Sequence, residues 1–414
     1  MRTWFKIALR NLKKNRRRSL ITLLAIALGF ASVCLFGGFT QYMYDANQEA
    51  AIYGRALGHL TVFKQGFLEQ GQLDPARYLL TTEEIESIRG ICTANPQVVM
   101  VTPQLQISGL VSNGKISTIF IAHGLVPSSI DAFMNGMKLF KFLEFEGRKL
   151  EDDSPYGVAV AKGLAKLLGL KVGSNAVVLS TTVDGQTNAL DMEVFQLLNV
   201  DTEFLNNKVM RVPLAFAQQL YDTRGADRMV VLLDRTENTE PVFKQLRTAM
   251  QELGLGVEIK TWKQLSQWYQ KVRDMFDLIF LFLFVIVFVI VVMSVVNTMS
   301  MAVLERTREI GTLRALGLKR RGVLLMFGIE SSFLGVFGCG VGLLLTFMVR
   351  AWVNFAQPTW TPPGISASVP LKIILLPSYM VSSGIALVAL CVLASLLPAL
   401  RGSRQNIVDA LGHV

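Results

Sequence analysis

The chain has 414 residues, of which 51% are hydrophobic, and a formal net charge of +10. Residues 1–44 carry eight Lys and Arg and no acid, residues 304–322 carry six against two acids, and residues 45–277 carry 23 basic and 27 acidic side chains. The basic residues flank apolar segments and do not form a stripe on a soluble fold. This excludes a nucleic-acid-binding face and matches the positive-inside pattern of membrane proteins.

The segment at residues 1–18 is predicted to form an amphipathic helix in the inner membrane interface. Its apolar residues Phe5, Ala8, Leu9 and Leu12 recur at helical spacing, and basic residues occupy the other faces. A disordered basic tail that only sets the orientation is the alternative. The apolar stretch that follows is interpreted as a retained anchor, because its core exceeds the roughly 7–15 apolar residues of a removable signal peptide.

Four apolar stretches reach the ~20 residues that a helix needs to cross a membrane. An even number of spans puts both termini on one side, and the basic flanks place that side in the cytoplasm. The predicted fold is an α-helical membrane protein with four transmembrane helices and a large extracytoplasmic α+β domain inserted between the first and second. The segments are 19–43 (first span with stalk), 44–273 (outer domain), 274–303 (stalk and second span), 304–322 (cytoplasmic), 323–349 (third span), 350–378 (extracytoplasmic loop), 379–400 (fourth span) and 401–414 (cytoplasmic tail).

The outer domain combines strand and helix signals, which favour an α+β fold of two lobes over a single sandwich. Asn113-Gly114, between two alternating segments, predicts a β-hairpin. The predicted strands are 105–111, 115–122, 176–182, 192–200 and 228–233, and the predicted helices are 83–91, 159–168, 240–253 and one that starts near Pro213.

Two helices are predicted to continue beyond the membrane as stalks. The helical pattern from Thr261 enters the second span without Pro or Gly, and the segment after the first span meets no breaker before Gly54. A continuous helix transmits a tilt or a shift, whereas a flexible linker does not. This layout indicates a device that carries force across a bilayer.

One segment imitates a nucleotide-binding loop. Gly109 to Lys115 matches most of G-x-x-x-x-G-K-[ST], but Ile116 supplies no hydroxyl for magnesium and strand signals follow. The three histidines are scattered, and three of the four cysteines lie in predicted spans, so we expect no metal site and no disulfide within the outer domain. The chain is therefore not expected to be an enzyme, and no catalytic, cofactor-binding or metal-binding residue is assigned.

The third span contains small residues at intervals of four. Ser331 with Gly335, and Gly338 with Gly342, have the spacing that lets transmembrane helices approach closely. Glu330, near the inner end of the span, faces either protein or the interface, and a functional role for it is a hypothesis.

A densely charged segment, Glu305 to Gly317, lies between the second and third spans. As a helix it would place Arg306, Glu309 and Leu313 on one face, with Glu305 and Glu309 spaced to pair with Arg308 or Arg306. A solvated charged loop is the alternative, but a short helix held between two spans moves only with them. The residues assigned to coupling are Glu305, Arg306, Thr307, Arg308, Glu309, Ile310, Gly311, Arg314 and Gly317.

The sequence of this segment, ERTREIGTLRALG, resembles the signature that follows the second span of permeases in the MacB, LolC/LolE and FtsX group, the type VII ABC transporters. The opening ALRNL followed by NRRR at residues 8–18, and AKLLGLKVG at residues 165–173, are also similar to segments of this family. The resemblance covers the whole architecture and is most specific at residues 305–317.

The resemblance implies a permease of the bacterial inner membrane that pairs with a second permease, identical or paralogous, above two copies of a separate ABC ATPase. That ATPase would hold ATP and Mg²⁺, since this chain itself carries no cofactor, and the 305–317 segment would seat in it as a coupling helix. Closure of the ATPase would then be relayed through the lipid-embedded spans to the outer domain.

The cargo that the resemblance implies is a lipoprotein or another amphiphile, and the LolC/LolE-like lipoprotein-release permeases are the favoured branch. Efflux of a peptide, toxin or drug is the first alternative. The second, from a different class, is an FtsX-like regulator that activates a cell-wall hydrolase outside and transports nothing.

Overall fold

The structure, a computed structural model, describes residues 16–71, 73–139, 145–200, 203–360 and 369–404. Most of the predicted amphipathic helix at residues 1–18 and of the tail at 401–414 lies outside these residues. The chain divides into two compact units. One comprises Met1–Met43, Arg273–Pro358 and Pro370–Val414, and the other comprises Tyr44–Val272 and Thr359–Val369.

Four helices in the described part of the chain are long and apolar enough to cross a membrane, which confirms the expected number. Their α-helical bounds are Arg16–Glu49, Gln267–Glu305, Arg320–Ala356 and Pro377–Arg404. We call them the first to fourth long helices. Buried side chains from all four form one hydrophobic cluster, represented by Ile26, Val295, Phe327 and Cys391.

The two helices that border the outer domain in sequence differ at their outer ends. The first long helix is followed directly by a π-helical turn, Ala50–Gly54, so no breaker intervenes before Gly54, as predicted. The second does not begin at Thr261. Thr261 ends a strand and caps a separate short helix, Trp262–Leu265, with Gln264 completing the capping box. The chain leaves helical geometry at Ser266 (φ −88°, ψ 78°), and the long helix starts at Gln267.

Ten strands of the second unit form one mixed sheet in the described residues, with the order β10-β1-β9-β2-β3-β8-β5-β7-β4 and β6 pairing with β2 and β7. The strands are β1 Leu60–Lys64, β2 Val98–Ser112, β3 Ser117–Leu125, β4 Phe145–Gly147, β5 Gly157–Ala161, β6 Asn175–Thr181, β7 Thr187–Leu198, β8 Val209–Pro213, β9 Arg228–Leu233 and β10 Val257–Thr261. A separate two-stranded pair is β11 Thr359–Trp360 with β12 Val369–Pro370.

The predicted hairpin is confirmed. β2 and β3 pair antiparallel around Asn113-Gly114, and Gly114 has φ +84°, which favours glycine. The side-chain oxygen of Asn113 accepts hydrogen bonds from the backbone N–H groups of Lys115 and Ile116, at 2.8 and 2.7 Å. The segment that imitates a nucleotide-binding loop is therefore a tight turn between two strands.

The predicted helix at 159–168 is wrong over its first three residues. Gly157–Ala161 is strand β5, which pairs parallel with β7 and antiparallel with β8. All five of its residues are buried. A short, wholly buried apolar run has no two-residue alternation, so sequence periodicity does not separate it from the helix Lys162–Leu168 that follows.

Helices cover two of the hydrophobic clusters that lie on this sheet. The first includes apolar residues of the helices Lys162–Leu168 and Leu214–Tyr221. The second includes residues of Thr82–Thr93 and Thr239–Glu252. The remaining described helices are Phe67–Gln70, Pro75–Tyr78, Pro127–Gly136, Glu203–Asn206, Thr307–Ala315 and a 3₁₀ turn at Thr236–Asn238.

Candidate functional site

The charged segment between the second and third long helices folds as a short helix, Thr307–Ala315. It is separated from the second long helix by Arg306, whose backbone (φ −115°, ψ 17°) is not helical. The hydroxyl of Thr307 donates to the carbonyl oxygens of Val303 and Leu304, at 3.1 and 3.0 Å, and so binds the last turn of the long helix. Gly317, with φ +98°, ends the segment. We call residues 305–317 the coupling segment.

The coupling segment has one buried and one exposed face. Thr307, Ile310 and Gly311 are buried, and Ile310 belongs to the hydrophobic cluster of the long helices. The exposed face mixes charge with large apolar side chains. It carries Arg308, Glu309, Thr312, Leu313 and Leu316. Leu316 is 80% exposed.

Arg306 is directed inward and does not share the exposed face. Its guanidinium donates from Nη1 to Glu330 Oε2 at 3.0 Å and from Nη2 to Glu330 Oε1 at 3.4 Å. The two side chains are only 9% and 5% exposed. Each buried charge is thus compensated by the other, and the two-point geometry fixes the guanidinium against the third long helix. The structure therefore gives Glu330 a partner that the sequence did not identify.

The charge pairs expected within the coupling segment are not those that form. Glu305 pairs with Arg18 of the first long helix at 2.5 Å, and both side chains remain about half exposed. Arg306 pairs with Glu330, so neither acid of the segment takes Arg306 as its partner. The expectation that Arg306 shares a surface with Glu309 and Leu313 is wrong, because Arg306 precedes the helix and its side chain points into the protein.

The remaining residues assigned to coupling follow the helix faces. Arg314 is partly buried, and Gly317 is exposed at the end of the segment.

The sequence does not reveal the role of Arg18, because this residue lies 287 positions from its partner Glu305 and resembles the other basic residues that set the orientation. A second missed pair is Thr22 and Thr298, whose hydroxyls lie 2.5 Å apart between the first and second long helices. The sequence signal for this contact is the presence of a small polar residue within each of two apolar helices.

The small residues of the third long helix lie at close contacts with two different helices. The hydroxyl of Ser331 donates to that of Ser395 in the fourth long helix at 3.0 Å. A Cβ placed on Gly335 would lie 3.2 Å from Val388 Cα of the same helix. Gly338 and Gly342 face the first long helix, where an added Cβ would lie 2.5 Å from Ile26 Cγ2 and 2.6 Å from the Ala27 carbonyl oxygen.

His59 of the outer domain has a structural role. His59 is fully buried; its Nδ1 accepts from the backbone N–H of Leu233 at 3.0 Å, and its Nε2 lies 3.3 Å from the Thr236 hydroxyl. Burial is the main cause that lowers the pKa of His59 to about 4. Within the described residues, no group of three or more His, Cys, Asp or Glu side chains is placed to hold a metal ion.

Two protein families match the chain. Residues 19–249 match the MacB-like periplasmic core domain, and residues 281–407 match the FtsX-like permease C-terminal family. The first match covers more than half of the chain. Together the two matches include strands β1 to β9, the coupling segment and the third and fourth long helices, and strand β10 lies between them.

Curated relatives are similar to this chain over most of its length. An uncharacterised ABC transporter permease of Methanocaldococcus jannaschii is 23% identical over 84% of this chain and 88% of its own length. The lipoprotein-releasing system transmembrane protein LolC of Neisseria meningitidis serogroup B is 25% identical over 98% of this chain and 97% of its own. A macrolide export ATP-binding/permease protein MacB of Yersinia pestis bv. Antiqua is 23% identical over 98% of this chain, which spans 60% of the length of that relative.

The identities to LolC and MacB are similar, so they support the family and do not select the lipoprotein-release branch. Long apolar helices and permease relatives together describe a multi-pass membrane protein. The chain belongs to the family of ABC transporter permeases that combine a MacB-like periplasmic core domain with an FtsX-like C-terminal region.

Proposed function

We propose that the chain is the membrane subunit of a type VII ABC complex and that it relays ATP-driven motion of a separate ATPase to its outer domain. The observation that carries this proposal is the coupling segment. Its buried face and the Arg306–Glu330 pair attach it to the long helices, while Arg308, Glu309 and Leu316 remain exposed. An attached helix with an exposed charged and apolar face has the properties that a docking partner requires.

The relay needs stiff connections, and the helix bounds support them. The first long helix, Arg16–Glu49, and the second, Gln267–Glu305, each include residues of both compact units. A load applied at residue 305 would therefore act on a helix that reaches residue 267 without Pro or Gly. The break at Ser266 places the joint at the start of this helix, next to the outer domain in sequence.

The proposed arrangement places both termini and the coupling segment in the cytoplasm, with the MacB-like domain inserted between the first and second spans on the outer side. The eight basic residues before the first apolar span and the six basic residues at 304–322 support this orientation. ATP and Mg²⁺ would bind to the partner ATPase, two copies of which would act on a pair of permeases. The relative MacB is named as an ATP-binding/permease protein, and this chain spans 60% of its length.

For the cargo we propose an amphiphile, with a lipoprotein as the first candidate because LolC, which the chain matches over nearly its full length, is named as lipoprotein-releasing. MacB is named for macrolide export, which keeps efflux of a drug, peptide or toxin as the alternative. The FtsX-like match at residues 281–407 supports the second class of function, a regulator of an extracytoplasmic hydrolase. The match of residues 19–249 to a MacB-like domain favours the transporter.

Replacement of the exposed face of the coupling segment tests the relay. We expect the double variant Arg308→Ala/Leu316→Ala to fold normally and to lose stimulation of the copurified ABC ATPase, because both side chains are exposed and surface replacements change stability by less than ~0.5 kcal/mol. Arg247→Ala/Leu253→Ala is the matched control, with an exposed Arg and an exposed Leu in the outer domain. ATPase rates in nanodiscs report the result, and normal stimulation by the first variant would refute the coupling role.

A further inference from the structure

The second long helix follows the short helix Trp262–Leu265 with a single non-helical residue between them. This residue is Ser266, which has φ −88° and ψ 78°, and the long helix starts at Gln267. An α-helix has ψ near −42°, so a change of about 120° in one torsion angle separates this conformation from an unbroken helix. We call residues 262–270 the joint.

The sequence of the joint is that of an unbroken helix. From Thr261 to Glu305 it contains neither Pro nor Gly. Apolar residues recur at intervals of three and four, and in an unbroken helix they would share one face. They are Trp262, Leu265, Tyr269, Val272 and Phe276. Because the backbone chemistry does not require a break here, side-chain contacts must hold it.

Ser266 supplies the first of these contacts. The backbone N–H of Tyr269 donates to Ser266 Oγ at 3.3 Å, which is the bond of a helix N-cap. In an unbroken helix the same N–H would donate to the carbonyl oxygen of Leu265. An N-cap residue has a non-helical backbone, so this bond forms only while the helix is broken at Ser266.

Gln270 supplies the second contact. Its side-chain Nε2 donates to the carbonyl oxygen of Lys263 at 2.7 Å. In an unbroken helix that carbonyl would accept from the backbone N–H of Gln267. The amide of Gln270 therefore satisfies an acceptor that the break leaves open at the end of the short helix.

The third contact is aromatic. The rings of Trp262 and Tyr269 are both buried and meet edge to face, with centroids 4.8 Å apart and an interplanar angle of 72°. In an unbroken helix residues seven apart are separated by about 10 Å along the axis, and both side chains lean toward the N-terminus. The ring contact therefore also depends on the break.

The broken conformation leaves one buried donor unsatisfied. Trp262 is 0% exposed, and its indole Nε1 has no hydrogen-bond partner among the described residues. A buried tryptophan N–H normally has a partner, and an unsatisfied donor destabilises the conformation that contains it. Three contacts thus favour the break, while this donor and the helical sequence oppose it. Such a balance is a property of segments with two accessible conformations.

We propose that the joint has two states. The bent state is the one described above, and in the straight state Ser266 is helical and one helix runs from Trp262 to Glu305. Thr261, at the end of β10, fixes the joint to the sheet, so straightening turns the start of the long helix relative to β10. The proposal deepens the relay proposed above and rests on it only for the use of the joint. The joint itself is measured without an ATPase.

The test measures one distance in the full chain, in nanodiscs of phosphatidylcholine. Nitroxide labels are placed on Arg247→Cys and Lys271→Cys, both at exposed positions. Arg247 lies on the helix Thr239–Glu252, which shares a hydrophobic cluster with Ile259 of β10, and Lys271 lies five residues beyond Ser266. Pulsed electron paramagnetic resonance should resolve two distances for two states. A sample without introduced cysteines measures the background from native thiols.

Gln267→Pro is expected to trap the bent state. Gln267 is exposed and is the first residue of the long helix, a position that proline favours. In the straight state the proline would lie inside a helix and would disfavour a helical Ser266, so the ratio of straight to bent should fall roughly 100-fold. Thr82→Pro is the matched control, since Thr82 is the first residue of its helix and follows an extended N-cap. It should leave the distances unchanged.

Ser266→Ala is expected to shift the joint in the opposite direction. Loss of the cap should raise the ratio of straight to bent by about fivefold. Addition of Gln270→Ala removes the second contact and should bring the rise to roughly 20-fold. A straight state populated at about 1% would then exceed about 15%. Ser87→Ala, at an exposed position of the helix Thr82–Thr93, is the control and should have no effect.

The proposal requires a second distance that grows in Ser266→Ala/Gln270→Ala and is absent in Gln267→Pro. One unchanged distance in the unmodified chain and in both of these variants would overturn it, as would a second distance that grows in Gln267→Pro.

Use of the joint in the relay is measured on the complex with the copurified ABC ATPase. ATP with vanadate should change the ratio of the two distances in the unmodified chain and leave it constant in Gln267→Pro. A ratio that ATP changes in neither protein, while the first experiment succeeds, would exclude the joint from the relay without affecting its two states.

Discussion

Arg306 and Glu330 form a two-point ion pair between the beginning of the coupling segment and the third long helix, with N–O distances of 3.0 and 3.4 Å. The pair is buried, so the arginine acts as an anchor and cannot be part of the exposed face. The distinction matters for mutagenesis. A variant at Arg306 changes the attachment of the coupling segment to the third long helix. Variants at Arg308 or Leu316 change the exposed face of the segment.

Removal of one partner of this pair is expected to destabilise the protein strongly. Arg306→Ala leaves Glu330 as an uncompensated buried charge, which costs about 3–5 kcal/mol, and Glu330→Ala does the same to Arg306. Thermal unfolding in detergent measures both. Arg308→Ala is the control at an exposed position of the same segment and should change stability by less than ~0.5 kcal/mol.

The apolar double variant Arg306→Met/Glu330→Leu should recover most of the stability lost in the single variants, because it removes both charges together. A double-mutant cycle on Arg306 and Glu330 gives the coupling energy. If the single alanine variants unfold at the temperature of the unmodified protein, the buried pair does not anchor the segment.

The contact between the third and first long helices is expected to be intolerant of a single added methyl group. A Cβ on residue 342 would meet the carbonyl oxygen of Ala27 at 2.6 Å, and backbone cannot move aside cheaply. We expect Gly342→Ala to cost about 1–3 kcal/mol through overpacking. Gly340→Ala, in the same helix with no atom within 4 Å, should be neutral or slightly stabilising. Equal unfolding temperatures for the two variants would contradict this packing.

Acidification is expected to destabilise the outer domain through His59. Its pKa is lowered from 6.5 to about 4 by burial, against the opposing charges of Asp234 and Glu237. Between pH 6.5 and about 4, His59 binds a proton in the unfolded state but not in the folded state. The folded state therefore has its full stability above pH 6.5 and becomes less stable as the pH falls to about 4. The loss amounts to roughly 3 kcal/mol.

His59→Gln separates titration from hydrogen bonding. The amide oxygen can still accept from the backbone N–H of Leu233, but the side chain no longer titrates. Unfolding temperatures of the full chain between pH 7 and 4 should therefore fall less steeply in His59→Gln than in the unmodified protein. Parallel curves for the two proteins would show that His59 is not responsible for the pH dependence.

The segment that imitates a nucleotide-binding loop is expected to affect folding and not ATP use. Gly114→Ala forces a side chain into the left-handed region at φ +84° and should cost about 1 kcal/mol. Lys115 lies at the exposed turn, so Lys115→Ala should leave both stability and ATP hydrolysis by the assembled complex unchanged. Loss of ATP hydrolysis in Lys115→Ala would mean that the turn contacts nucleotide.

The sequence predicts those helices and strands that are specified by neighbouring residues. The strand predicted at 228–233 is β9, and the helix predicted at 240–253 was shifted by one residue from Thr239–Glu252. The errors fall at boundaries decided by pairing and capping. Gly157–Ala161 is a strand because β7 and β8 offer it partners, and the second long helix starts late because Thr261 is held in β10.

The candidate site was located by sequence but its internal geometry was not. Composition marks residues 305–317 as a charged segment, and its position between two apolar spans favours a helix over a solvated loop, because both are properties of neighbouring residues. They do not show which arginine turns inward. Arg306 and Glu330 are 24 positions apart, and their pairing depends on how two helices pack.

The amino-acid sequence by itself determined the number of long apolar helices, the distribution of charge around them and the hairpin at Asn113-Gly114. These features follow from hydropathy, periodicity and turn chemistry over short stretches of chain. Only the tertiary structure decided the buried ion pair and the helix that each small residue contacts. Those features join residues far apart in the chain, and the free energy that selects them is the packing and desolvation of the folded state.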